Sequence, residues 1–304
     1  MALTATDKLI AGYLAFVTLV LLWRGPLADG TPWLLAAHVL FGLALLGIQR
    51  QPPNGRLGRA VHALYPLLLL SAFYAEIGVL NDRVGLAAIL GHDALLQRWE
   101  AGVFGTQVSY EWIRQAPSVF WSGVLHAAYA SYYPMILLPA PLLALRNDWD
   151  GARRVVFTML LAYVACYVVF LLYPVAGPNY AFPHPTGAVR EVWSARLVYA
   201  VLSTGSSVGA AFPSSHVAAT VAAVVAVWRA WRPLGAVLVI PAILLTIGVV
   251  YCQMHYGLDS LAGVAVGGAA AALAPRLWTA WSGTRPASDR SGQAAGLSRS
   301  GAVR

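Results

Sequence analysis

Apolar residues in this chain fall into long runs separated by short polar stretches. Eight runs approach the roughly 20 residues that a helix needs to cross a bilayer core. They cover residues 9–23, 32–48, 61–80, 118–145, 155–173, 208–228, 234–254 and 261–277. The first is short. The fourth is long and holds Pro134, Pro139 and Pro141, which predicts a kink. The last is rich in glycine and alanine, a composition that favours close helix packing. The pattern predicts an all-α, polytopic integral membrane helix bundle of about eight spans.

Two segments depart from it. Residues 84–115 carry Leu86, Ile89, Leu90, Leu95, Leu96, Trp99 and Val103 at helical spacing, mixed with Asp93, Arg98, Glu100 and Arg114. This predicts a helical segment lying along the membrane interface. Residues 281–304 are mostly serine, glycine, alanine and arginine with no apolar period, which predicts a disordered tail. The start of the chain has Lys8 and an apolar run, but Arg24-Gly25-Pro26-Leu27 follows rather than a small-x-small cleavage site, so this run is expected to be a retained span. Trp99, Trp112 and Trp193 read as interfacial anchors.

Composition supports lipid as the solvent. Hydrophobic residues make up 59% of the chain and charged ones 11%, against about 25% charged in a soluble domain. The net charge of +8 does not imply nucleic acid, because the basic residues are scattered between apolar runs. They set a topology instead. Fourteen of the 20 fall on the side of the N-terminus and six on the other, so both termini are expected in the cytoplasm. A single lysine, Lys8, among 20 basic residues, with abundant alanine, suggests a GC-rich bacterial genome and thus a bacterial plasma membrane. Cys166 and Cys252 lie inside apolar runs without metal-ligand spacing and read as buried thiols.

Two short stretches carry candidate chemistry, and the topology places both on the extracytoplasmic side. In Phe212-Pro213-Ser214-Ser215-His216 a serine turn leads into an apolar helix. The unpaired N–H groups at a helix start form a seat for phosphate. Ser214 or Ser215 can cap that helix or donate to an anion, and His216 can exchange a proton with an oxygen leaving the phosphorus. In His255-Tyr256-Gly257-Leu258-Asp259 the His255 and Asp259 side chains share a face if the stretch is helical. Asp259 can then fix the tautomer of His255 and leave its other nitrogen free to attack phosphorus, or it can simply cap the last helix. No metal and no cofactor is called for.

These two stretches resemble the second and third signature motifs of the type 2 phosphatidic acid phosphatase superfamily. The likeness is closest to the branch of inositol phosphorylceramide synthases and their bacterial relatives. Phe104-Gly105, Ala128-Tyr129-Ala130-Ser131-Tyr132-Tyr133 and Leu172-Tyr173-Pro174-Val175-Ala176-Gly177-Pro178 add to it. The resemblance implies His255 as nucleophile, Asp259 as its orienting partner and His216 as general acid, acting on a lipid phosphate through a phosphohistidine. It also implies a six-helix catalytic domain over residues 61–280, preceded by two added helices in residues 1–60. The chain departs from the superfamily in three places. The first basic motif, Lys-x6-Arg-Pro, is absent. Val249 stands where classical phosphatases carry an arginine, which the sphingolipid phosphotransferases also lack. Asn179 replaces the arginine of Gly-Pro-Arg.

Arg190 and Arg196, the basic residues of the loop before His216, are candidates for the missing phosphate contacts or ordinary loop arginines. Glu76 either binds an acceptor hydroxyl or, the favoured option, pairs with Arg83. His126 either faces the site or, the favoured option, bonds a neighbouring helix, and His184 has no assigned role. The expected function is transfer of a phosphoryl or phospho-headgroup to a polyol or lipid alcohol. The alternatives are a lipid phosphate phosphatase and a non-catalytic membrane transporter or scaffold.

Overall fold

The structure is a computed structural model that describes residues 3–24, 31–50 and 53–282. The expected tail lies almost wholly outside these residues. The described chain is helical throughout: α1 (Ala5–Arg24), α2 (Thr31–Arg50), α3 (Gly55–Asp82), α4 (Leu86–Phe104), α5 (Val108–Gln115), α6 (Val119–Ala130), α7 (Tyr132–Leu137), α8 (Pro139–Leu145), α9 (Trp149–Leu172), α10 (Pro178–Ala181), α11 (Ala188–Glu191), α12 (Trp193–Gly205), α13 (Ser215–Ala230), α14 (Arg232–Tyr251) and α15 (Gly257–Ser282). Among the described residues the one extended pairing is an isolated parallel bridge between Val175 and Ala210.

Seven helical stretches are long and apolar enough to span a membrane, with α6–α8 counted as one, and α13 is a shorter apolar helix. Seven of the eight expected spans thus correspond to helices of spanning length, and the sixth corresponds to the shorter α13. The fourth is broken twice rather than kinked once. Pro134 cannot donate to Ala130, so α6 stops at Ala130, and Pro139 starts α8 after Leu138. The sixth begins at Ser215 rather than residue 208. Its 16 residues reach only about 24 Å at 1.5 Å per residue. The preceding stretch is apolar but not helical, because Val175 N–H donates to Gly209 O and Ala211 N–H donates to Val175 O. Gly209, Ala211, Pro213 and Ser214 are buried in protein, as irregular backbone at membrane depth must be.

Helix α9 forms the axis of the bundle and packs against α3, α8, α13 and α15. Its core residues include Phe157, Leu160, Tyr163, Tyr167 and Phe170. Helix α2 lies outside, with only Thr31, His38, Leu45 and Gln49 buried. Outward residues such as Trp33, Leu68, Val237 and Ile240 are large, apolar and exposed, a surface suited to lipid and costly in water. The close packing expected of the last span holds. A Cβ on Gly263 would come within 2.7 Å of Ser214 O, so α15 meets the start of α13 through bare backbone. Cys166 and Cys252 are free and buried.

At one end of the bundle the ends of α1, α3 and α9 meet. Arg24 donates to the carbonyls of Leu80 and Leu171, and Asn81 Nδ2 donates to Phe170 O at 3.2 Å and Val208 O at 3.4 Å. The start of α13 and the α14–α15 junction lie at this same end, because Ser214 N–H donates to Asp259 O. Glu76 does not take Arg83 as partner. Its carboxylate bonds His38 Nε2 at 2.6 Å within the bundle, and Arg83 donates to Thr31 Oγ1. The burial of Glu76 favours a partner inside the bundle, and His38 on α2 supplies it.

Candidate active site

Each candidate side chain is presented by a specific local structure. Ser214 is the N-cap of α13, with its hydroxyl accepting from Val217 N–H at 3.4 Å. The backbone N–H groups of Ser215 and His216 have no acceptor among the described residues, as expected for the first turn of a helix. His255 follows the C-terminus of α14. There Met254 and His255 N–H both donate to Val249 O, at 2.9 and 2.8 Å. Gln253 adopts the left-handed conformation (φ 59°) that turns the chain out of the helix. Val249 thus contributes its carbonyl to this turn, where the classical motif carries an arginine side chain.

The rings of His216 and His255 lie with centroids 5.7 Å apart. His255 Nδ1 is 3.1 Å from Ala211 O and 3.4 Å from Asp259 Oδ2. A carbonyl can only accept, so Nδ1 carries the proton and Nε2 carries the lone pair. No described residue bonds Nε2. Burial pushes the His255 imidazole down to about 4, against the opposing effect of its bond to Ala211 O. Asp259 is fully buried, and its Oδ2 also accepts from Tyr256 N–H at 2.9 Å. It therefore both contacts His255 and caps the start of α15.

Both imidazoles line a cavity of about 50 Å³. This exceeds the ~10–15 Å³ that a single water needs. Tyr74, Tyr129, Asn179, Tyr180, Ser206 and Ser207 supply most of the remaining polar groups, and among the described residues no lysine or arginine lines it. The structure thus brings together Ser214, Ser215, His216, His255 and Asp259. Arg190 instead lies with its guanidinium 4.0 Å from the ring centre of Tyr199, and Arg196 is exposed on α12. His126 bonds Ser122 within its own helix, not a neighbouring one, and His184 packs edge-on to Tyr199.

Two acidic residues with no sequence-assigned role hold the site from outside. Asp93 on α4 is fully buried and accepts from the N–H groups of Ala176 and Gly177, at 2.8 Å each, and from the Tyr256 hydroxyl at 2.9 Å. Glu100, about two turns further along the same face of α4, accepts from Ser109 N–H at 2.8 Å and Gly257 N–H at 3.1 Å. Burial raises both carboxyl groups from their ordinary values, and the N–H donors pull the other way. Their charged helical segment had read as a polar interfacial face. Trp99 on this helix is exposed, in keeping with an anchor, but the acids face inward to backbone donors that no spacing rule reveals.

A bundle of apolar spans with two imidazoles lining one cavity beside the start of a helix defines a polytopic membrane protein equipped for phosphate chemistry. The family described as the PAP2 superfamily matches residues 95–273, and the chain belongs to it. The match contains both histidine stretches. Membership carries phosphatase or phosphotransferase-type chemistry on lipid phosphates in a membrane setting. No curated protein and no solved structure gives a match.

Proposed function

We propose that this protein transfers a phosphoryl or phospho-headgroup from a lipid to an alcohol through a phosphohistidine, in the manner of the inositol phosphorylceramide synthase branch. His255 Nε2 attacks phosphorus, Asp259 orients His255, and His216 supplies a proton to the leaving oxygen and later removes one from the acceptor. The phosphate sits on the free N–H groups at the start of α13, aided by Ser214 and Ser215. Arg190 and Arg196 stand outside this seat. The catalytic unit is residues 61–280, with the helices of residues 1–60 as an addition. The site faces the extracytoplasmic side of the plasma membrane.

The observation that carries this reading is the 5.7 Å separation of the His216 and His255 rings over one cavity. The cation-free lining supports transfer over hydrolysis, since the basic motifs of the phosphatases are what is missing. Purified protein incubated with labelled phosphatidic acid and with phosphoinositide separates the two. Headgroup-bearing product is expected, and release of inorganic phosphate alone would defeat transfer. Loss of activity in both His216→Ala and His255→Ala is expected, and full activity in either variant removes the mechanism and favours a non-catalytic role.

A further inference from the structure

Tyr129, on α6, is 6% exposed and lines the cavity with the two histidines. Among the described residues its hydroxyl has one partner, His216 Nε2, at 3.3 Å. The rings stack with centroids 5.1 Å apart and 29° between planes. Tyr132 holds His216 as well, with its ring centre 4.3 Å away. The other nitrogen of His216, Nδ1, is buried without a partner. Among the described residues the one hydrogen bond of the His216 ring is therefore to the Tyr129 oxygen, and both residues line the cavity. A 3.3 Å contact between catalytic groups is of the kind that tightens when substrate binds.

We propose that Tyr129 is a catalytic residue whose hydroxyl relays the proton between His216 Nε2 and the oxygen leaving phosphorus. The assignment rests on the phosphohistidine reading above. A hydroxyl donates and accepts at once, so it can pass a proton without holding charge. In the first step the bond from His255 Nε2 to phosphorus forms and the bond from phosphorus to the alcohol oxygen breaks. That oxygen takes the Tyr129 proton as Tyr129 takes the proton on Nε2 of the His216 imidazolium, leaving His216 neutral. In the second step the acceptor hydroxyl gives its proton to Tyr129, Tyr129 returns one to His216, and the acceptor oxygen bonds phosphorus as the bond to His255 breaks.

The test compares Tyr129→Phe, which keeps the stacked ring, on two substrates. Phosphatidic acid has an alkyl leaving group that needs a proton, and nitrophenyl phosphate has one that departs as a stable anion. Turnover of phosphatidic acid by the full chain is expected to fall about 100-fold. Turnover of nitrophenyl phosphate is expected to fall only about threefold, because that leaving group needs no general acid. Tyr129→Phe combined with His216→Ala is expected to be no slower than His216→Ala alone, as both serve one proton. Equal losses on the two substrates, no loss on either, or additive losses in the double variant would each overturn the assignment. Activity surviving in His255→Ala would instead sink the phosphohistidine reading itself.

Discussion

The backbone N–H of Ser214 donates to the carbonyl oxygen of Asp259 at 3.0 Å. This single bond ties the turn that presents His216 to the helix whose Asp259 contacts His255, so the two motifs are fixed to each other and not merely adjacent. The contact depends on Gly263, one turn further along α15. A Cβ there would meet Ser214 O at 2.7 Å and Val217 Cβ at 2.9 Å. Gly263→Ala is expected to force α13 away from α15 and cost about 1–3 kcal/mol of stability. Activity should fall by more than the unfolded fraction explains. Thermal unfolding in detergent alongside turnover at a temperature where the variant is folded checks this, and wild-type turnover there would contradict it.

Asp93 receives three donors and offers none, a role suited to a carboxylate. Asp93→Asn turns an NH₂ group toward one of the Ala176, Gly177 or Tyr256 donors. The expected cost is about 2 kcal/mol in stability, with a lower kcat because the 174–177 loop and the residue following His255 are both released. A variant with unaltered kcat and melting temperature would show that this carboxylate does not hold the site.

The spans were legible because lipid enforces long apolar runs, and His216, His255 and Asp259 were legible because polar groups at the ends of such runs are few. What escaped was set by partners far away in sequence. Asp93 and Glu100 sit at spacings that fit a wet helix face, and only the fold supplies the backbone N–H groups they accept from. Residues 208–212 are as apolar as a span, yet their backbone pairs with Val175. Helix α12 lay in a stretch treated as loop. Glu76 found His38 on another helix rather than Arg83 on its own.

The His38–Glu76 pair, with both side chains under a tenth exposed, links α2 to α3 away from the cavity. Removing His38 leaves the Glu76 carboxylate buried and unpaired, and removing Glu76 leaves His38 Nε2 buried without its partner while Nδ1 keeps Thr18 at 2.8 Å. His38→Leu or Glu76→Leu alone is expected to cost about 3–5 kcal/mol, and the double variant much less. Turnover of folded protein should be unchanged in all three. A double variant less stable than either single one would contradict this account.

His255 provides a titration with a defined sign. Burial disfavours the imidazolium, so the ring is expected to stay neutral from an unfolded-state value of 6.5 down to about 4. In that window the unfolded chain binds a proton that the folded chain does not. The stability contributed by this group is therefore complete above 6.5 and declines as pH falls towards 4. Histidine-labelled NMR of the ligand-free protein, assigned with His255→Gln, measures the midpoint directly. A value near 6.5 would mean that the ring is solvated and the site more open than its geometry indicates.

Gln253 combines two demands that sequence alone does not separate. Its backbone is left-handed at φ 59°, where glycine is at ease and a side chain is not. Its amide nonetheless repays that conformation. Oε1 accepts from Arg114 at 2.7 Å, and Nε2 donates to Pro178 O at 3.2 Å and Pro183 O at 3.0 Å. The carbonyls it holds flank Asn179 and Tyr180, which line the cavity beside His255. Gln253→Gly relieves the backbone and loses the three bonds, whereas Gln253→Ala loses the bonds and keeps the strain. The glycine variant is therefore expected to be more stable than the alanine variant by about 1 kcal/mol. Both should turn over more slowly than wild type, because the 178–183 loop is no longer tied to the His255 turn. Full turnover in either variant would mean that the loop is positioned by its other contacts and that this glutamine serves only the turn.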